Sequence, residues 1–342
     1  MATSAEMGLD STELQKRVER FHAVRDGILT QVRQVIVGQE EVLDQILTAL
    51  FVGGHCLITG LPGTAKTLMV RTIAQTLGLE FRRIQFTPDL MPSDITGTDI
   101  IEEDSTTGRR KWTFVPGPIF GNILLADEIN RTPPKTQSAL LEAMQELSCT
   151  VRGNHYKLPA PFFVLATQNP IELEGTYPLP EAQLDRFLFN TVLDYLSADE
   201  ELKVIDLTTT VKSAQVQTMT NAEEIVDFQR LVRMVPIADS IAEYVVRLVR
   251  ATRLKNENAP DFVKKYVNYG GSVRAAQFIV LASKARALSR KRYHVTYEDV
   301  ASLAIPVLRH RILLNFHAES DRIDADEILR RLIQTLPPPK AA

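Results

Sequence analysis

The chain has 342 residues, 44% hydrophobic and 24% charged, the profile of an ordinary globular protein of about two domains. Its formal net charge of −3 gives no global pull toward nucleic acid or anionic lipid, leaving only a local basic face open. Two distant cysteines, Cys56 and Cys149, argue against a disulfide framework or a paired-cysteine zinc site and point to a reducing compartment.

In chain order, the N-terminus lacks the apolar core of a signal peptide, and no apolar run approaches the ~18 residues that span a bilayer. The expectation is a cytoplasmic protein. Residues 11–51 carry two helical patterns, 11–34 and 40–51. HCLITG then reads as a short buried strand, followed by a glycine-rich turn and a helix from about 66 to 77. Further short apolar runs, FRRIQF, NILLAD, FFVLAT and FLFNTVLD, alternate with helices and imply a mainly parallel sheet covered on both faces. His55, just before the first strand, reads as structural. From about residue 221 every pattern is helical, and Thr296 with Glu298 and Asp299 resembles a helix cap. This gives an α/β domain over 1–197, a linker over 198–220, an all-α domain over 221–337, and a frayed tail over 338–342.

The segment GLPGTAKT, Gly60 to Thr67, joins the first strand to its helix, the order that a phosphate cradle requires. Gly60 and Gly63 can adopt backbone conformations that turn successive N–H groups inward as an anion nest. Gly60, Leu61, Pro62, Gly63, Thr64, Ala65, Lys66, Thr67 and Leu68 together are the expected nucleotide cradle. Lys66 would reach the outer phosphates and the Thr67 hydroxyl would ligate Mg²⁺. Ala65 replaces the usual last glycine, at a helix opening where alanine is comfortable.

NILLADE ends in two adjacent carboxylates. Successive strand residues face opposite ways, so the two acids need separate reasons. With a phosphate loop nearby, Asp127 would support the metal and Glu128 would polarise the attacking water. Alone, carboxylates at a strand end would be only its solvated terminus.

Taken together, GLPGTAKT, LLADEINR, ATQNP and EAQLDRF, with VGQEEV and FTPDLMPSDITG, resemble the AAA+ ATPases and within them the MoxR family, over about residues 35–310. The resemblance implies an αβα nucleotide-binding domain with a helical lid, binding ATP and Mg²⁺ and assembling as a ring expected to be hexameric. Val37, Gly38 and Gln39 match the segment beside adenine and ribose. Asn169 matches the sensor 1 position; an Asx-turn before Pro170 is the compatible alternative. Arg186 matches the arginine finger that acts on a neighbour's ATP, the alternative being a surface arginine paired to Asp185 or Glu181. Arg274 matches sensor 2, against a solvated helix-start arginine. Arg131 is a candidate second interfacial arginine.

Residues 87–120 match the family's insertion in the second helix. Residues 148–160 read as a hairpin, and both segments are candidate client contacts. Trp112 is expected to pack against the insertion. The resemblance further implies a chaperone-like role toward protein partners, often carrying a von Willebrand factor A domain. A nucleic-acid motor or a nucleotide-dependent assembly switch with little turnover are the alternatives.

Overall fold

The structure, a computed structural model, describes residues 11–61, 63–103, 110–169, 175–209 and 215–339. Two helices, α1 (Ser11–Val32) and α2 (Glu40–Val52), precede β1 (Cys56–Gly60), α3 (Lys66–Thr76) and β2 (Phe81–Gln85). Next come α4 (Pro92–Thr96) and the hairpin β3 (Gly97–Glu103) with β4 (Arg110–Pro116). They are followed by β5 (Ile123–Asp127), α5 (Pro134–Glu146), the hairpin β6 (Ser148–Val151) with β7 (Asn154–Lys157), and β8 (Phe163–Gln168). Then α6 (Glu181–Leu184), β9 (Phe189–Leu193) and α7 (Ala198–Thr209) complete the α/β part. The remainder is α8 (Ala222–Met234), α9 (Asp239–Ala251), α10 (Asp261–Tyr266), β10 (Val267–Tyr269), α11 (Val273–Ser289), α12 (Tyr297–Leu308), β11 (Leu313–Leu314), α13 (Phe316–Ser320) and α14 (Ala325–Thr335).

Five strands form a parallel sheet in the order β2-β5-β8-β1-β9. Because all run the same way, Gly60, Gln85, Asp127 and Gln168 end at one edge, where open α/β sheets bind ligands. Alternation assigns the two faces. Ile58, Ile123, Leu125 and Leu165 pack with α2, α3 and the helical region, whereas Leu57, Leu124, Ala126 and Ala166 pack with α5.

Two expectations change and a third is extended. The segment taken as a linker contains α7, whose acidic first turn, Asp199, Glu200 and Glu201, suits a helix N-terminus. The N-terminal helices, assigned to the α/β domain, share one hydrophobic core with the C-terminal helices. The helical region also contains a short antiparallel ladder, β10 with β11. The cap at Thr296 is a capping box completed by Asp299, and residues 148–157 form the expected hairpin. Trp112 stays 56% exposed, with the Arg152 guanidinium 4.4 Å above its ring. Among the described residues no helix is long and apolar enough to cross a membrane.

Candidate active site

The phosphate loop leaves β1 and enters α3 at Lys66, with Gly63 at φ +79° and Ala65 at φ 57°. Gly63 fulfils the positive-φ role, and a Cβ there would meet open space. Gly60 does not. It ends β1, and a Cβ there would stand 2.7 Å from the Leu193 carbonyl oxygen, so glycine at 60 is set by the close approach of β9. Lys66 Nζ donates to the carbonyls of Gly60 at 2.8 Å and Leu61 at 2.7 Å. Burial lowers the Lys66 pKa, and the charges of Asp127 and Glu128 oppose that shift. Pro62 lies outside the described residues.

The paired acids are separated by a backbone turn. Asp127 is the last residue of β5, while Glu128 takes φ 56°, a left-handed conformation that breaks the strand alternation. Thr167 on the adjacent strand ties them together: it accepts from the Glu128 N–H at 2.8 Å and donates to Asp127 Oδ1 at 2.6 Å. Asp127 Oδ2 accepts from Arg83 Nη2 at 2.7 Å. Glu128 Oε2 accepts from Gln85 Nε2 at 2.9 Å and from Arg131 Nη1 at 3.1 Å.

Lys66, Thr67, Asp127, Glu128 and Asn169 all border one cavity of about 440 Å³. A second, of about 410 Å³, shares Gly63, Thr64, Ala65 and Leu68 with the first. Val37, Gln39, Tyr195 and Ile205 contribute to its mostly apolar wall, which suits a flat base beside a phosphate cradle. Gln39, at φ 57°, donates from its Nε2 to the Asp194 carbonyl at 2.8 Å. A Cβ at Gly38, φ +67°, would fall 2.4 Å from Glu200 Oε1.

Arg186 and Arg274 border neither cavity. Arg186 Nη1 donates to the Leu141 carbonyl at 2.5 Å. Arg274, expected to contact nucleotide, instead lies with Nη1 3.4 Å from Asp185 Oδ2, drawn there with Ser272, whose hydroxyl is 3.0 Å from the same oxygen. Arg274 thus reaches the residue next to Arg186 in the chain, while the Arg186 guanidinium turns to α5. Asp185 also pairs with Arg311, whose Nε is 2.7 Å from Oδ1. Burial lowers the Arg311 guanidinium to about 10, with the Asp185 charge opposing, so it stays cationic at neutral pH.

A family model described as the ATPase family associated with various cellular activities (AAA) matches residues 55–189, and an AAA lid domain model matches 261–332. The chain is 42% identical over 310 residues to the chaperone MoxR1 of Mycobacterium tuberculosis, covering 91% of this chain and 81% of that one. The chain belongs to the MoxR family of AAA+ ATPases. It is also 44% identical to YeaC, an uncharacterized protein of Bacillus subtilis, over 94% of this chain and 97% of that one. A candidate ATPase from Cytophaga hutchinsonii has a crystal structure that superposes with a TM-score of 0.89, at 40% identity over 95% of this chain and 98% of that one.

As a MoxR-family enzyme the chain is an ATPase, and the cavities just described are its candidate site. Three residues of this MoxR-type site escaped sequence reasoning: Thr167, Arg83 and Gln85. Thr167 stood inside a quoted motif, ATQNP, two residues before Asn169. The signal for Arg83 and Gln85 was weaker: polar residues alternating along FRRIQF, which becomes the strand beside β5.

Proposed function

We propose that this chain hydrolyses ATP with Mg²⁺ as a ring, six subunits being the expected number, and uses the cycle to remodel a protein partner in the cytoplasm. The carrying observation is the separation of parts. Glu128 borders the phosphate-side cavity, while Arg186 and Arg274 border neither cavity, Arg186 bonding the Leu141 carbonyl and Arg274 pairing with Asp185. A neighbouring subunit's arginines would complete the site.

Lys66 would hold the outer phosphates. Among the described residues no group of three or more His, Cys, Asp or Glu could hold a metal alone. That donor set suits Mg²⁺, which takes one or two protein ligands and leaves the rest to phosphate and water. Thr67 and Asp127 border the same cavity and would supply those ligands. The ion neutralises developing phosphoryl charge when bound. Glu128 would draw a proton from water, with Asn169 orienting that water. The description of MoxR1 as a chaperone supports the partner-remodelling role. A separate polypeptide with a von Willebrand factor A domain is the partner class we favour.

Phosphate release by two variants tests the shared site. Arg186→Ala and Glu128→Gln should each be nearly inactive, and mixed rings of both should recover activity, because one subunit supplies the finger and its neighbour the base. Full activity of Arg186→Ala alone would end the finger assignment.

A further inference from the structure

We propose that Arg311, acting through Asp185, is the positioning residue that sets the finger arginine Arg186 from the lid; this rests on the reading of Arg186 as a finger.

Arg311 follows α12 and its side chain is 2% exposed. A guanidinium has five N–H donors in a fixed fork. Here each has an acceptor. Nε donates to Asp185 Oδ1 at 2.7 Å, and Nη2 donates to the carbonyls of Asp185 at 2.8 Å and Phe187 at 2.5 Å. Nη1 donates to Leu188 O at 3.3 Å and to Val307 O. The fork therefore grips the backbone immediately before and immediately after Arg186. From the other side, Ser272 and Arg274 at the start of α11 hold the Asp185 carboxylate. Two lid elements thus meet at a single tripeptide.

Packing alone does not account for this arrangement. Burying a charged pair is often no better for stability than well-packed apolar side chains of similar volume. What the fork adds is direction: two carbonyls and a carboxylate fixed around one residue orient the Cα–Cβ bond of Arg186. Any lid displacement then moves the finger. Lysine cannot substitute, since it offers three donors from one point and no planar fork.

The test uses the full-length protein. Arg311→Lys should bind a fluorescent ADP analogue within about twofold of wild type and assemble to the same size by light scattering. Its kcat should fall about tenfold or more with KM little changed, less than the ~10³–10⁵ at stake for a whole finger. It should also fall in the complementation group of Arg186→Ala: rescued in mixed rings with Glu128→Gln, and not rescued with Arg186→Ala. A general structural defect would instead lower ADP binding or assembly and would not sort between these partners. Wild-type kcat, or rescue by Arg186→Ala, overturns the proposal. The Arg186→Ala with Glu128→Gln mixture is the control; if it fails to recover, the finger reading falls and takes this proposal with it. Should Arg311→Lys not fold, Ser272→Gly decides, because glycine is tolerated as an N-cap and the change removes the hydroxyl on Asp185 together with its cap bond from the Arg274 N–H. A two- to tenfold loss of kcat in the same complementation group supports the proposal, and unchanged kcat overturns it.

Discussion

Asp127 and Glu128 are neighbours in the chain but meet different partners, and the difference lies in one torsion. The left-handed φ of Glu128 lets Thr167 bond both residues, so the two acids border one cavity. Arg83 then occupies Asp127 Oδ2, the carboxylate expected to support the metal. Arg83 is 45% exposed and Asp127 14%, so the pair is solvent-screened and contributes about 0.5–1 kcal/mol. If Asp127 supports Mg²⁺ as proposed, an ion entering with nucleotide would have to displace or share with that guanidinium. Arg83→Ala should therefore lower the Mg²⁺ concentration needed for half-maximal nucleotide binding by about two- to fivefold, the range that energy corresponds to. Titrating Mg²⁺ against a fluorescent ADP analogue measures it. If the variant needs more Mg²⁺, Arg83 helps the ligand and does not compete with the metal.

Elements explain what was legible in the sequence. The cradle and the acids were readable because each is a short contiguous run on one strand end: Lys66 with Thr67, Asp127 with Glu128. Thr167, Arg83 and Gln85 reach those acids only because the sheet order places β8 and β2 on either side of β5. Gly60 shows the same limit, since its constraint comes from β9, more than a hundred residues away. The segment 198–209 reads as a linker because its threonine-rich end masks a helical pattern, so the wall that Ile205 and Leu207 add to the second cavity is not legible in the sequence. His55 also works between elements. Its Nδ1 accepts from the Val164 N–H of β8 at 3.1 Å, so Nε2 carries the proton and donates to the Met144 carbonyl of α5 at 3.2 Å. Burial pushes its pKa down to about 4. Between that value and the ordinary 6.5, the unfolded chain takes a proton that the folded chain refuses, so stability falls as pH falls. From pH 7.5 to 5.5 the loss from His55 should be about 1.4 kcal/mol. His310, also lowered by burial, adds the same sign. Urea midpoints at the two pH values check this, with His55→Gln expected to show a shallower decline. Equal declines in both proteins would remove His55 from the account.

At the scale of the molecule, the sequence suggests two domains, and one hydrophobic cluster runs from the N-terminal helices across one face of the sheet into the helical region. Phe21 of α1, Phe51 of α2 and Phe228 of α8 meet edge to face, with centroids 4.8 Å apart for Phe21–Phe51 and 5.3 Å for Phe21–Phe228. All three rings are buried, and they come from the N-terminal helices and the helical region. Around them Arg17 pairs with Asp227 at 2.5 Å and Arg20 with Glu224 at 2.6 Å. Aromatic pairs of this geometry add about 0.5–1.5 kcal/mol each beyond the area they bury. Separating the helical region would thus open the core that also covers one face of the sheet. Calorimetry should show a single transition, its calorimetric enthalpy matching the van't Hoff value. Phe21→Ala, which deletes the shared ring, should cost about 3–5 kcal/mol. It should move that one transition down as a whole, because the cavity it leaves belongs to both parts at once. Two peaks, of which the substitution shifts only one, would mean that the domains read from the sequence are also the units that unfold, and that α1 is an appendage of one of them.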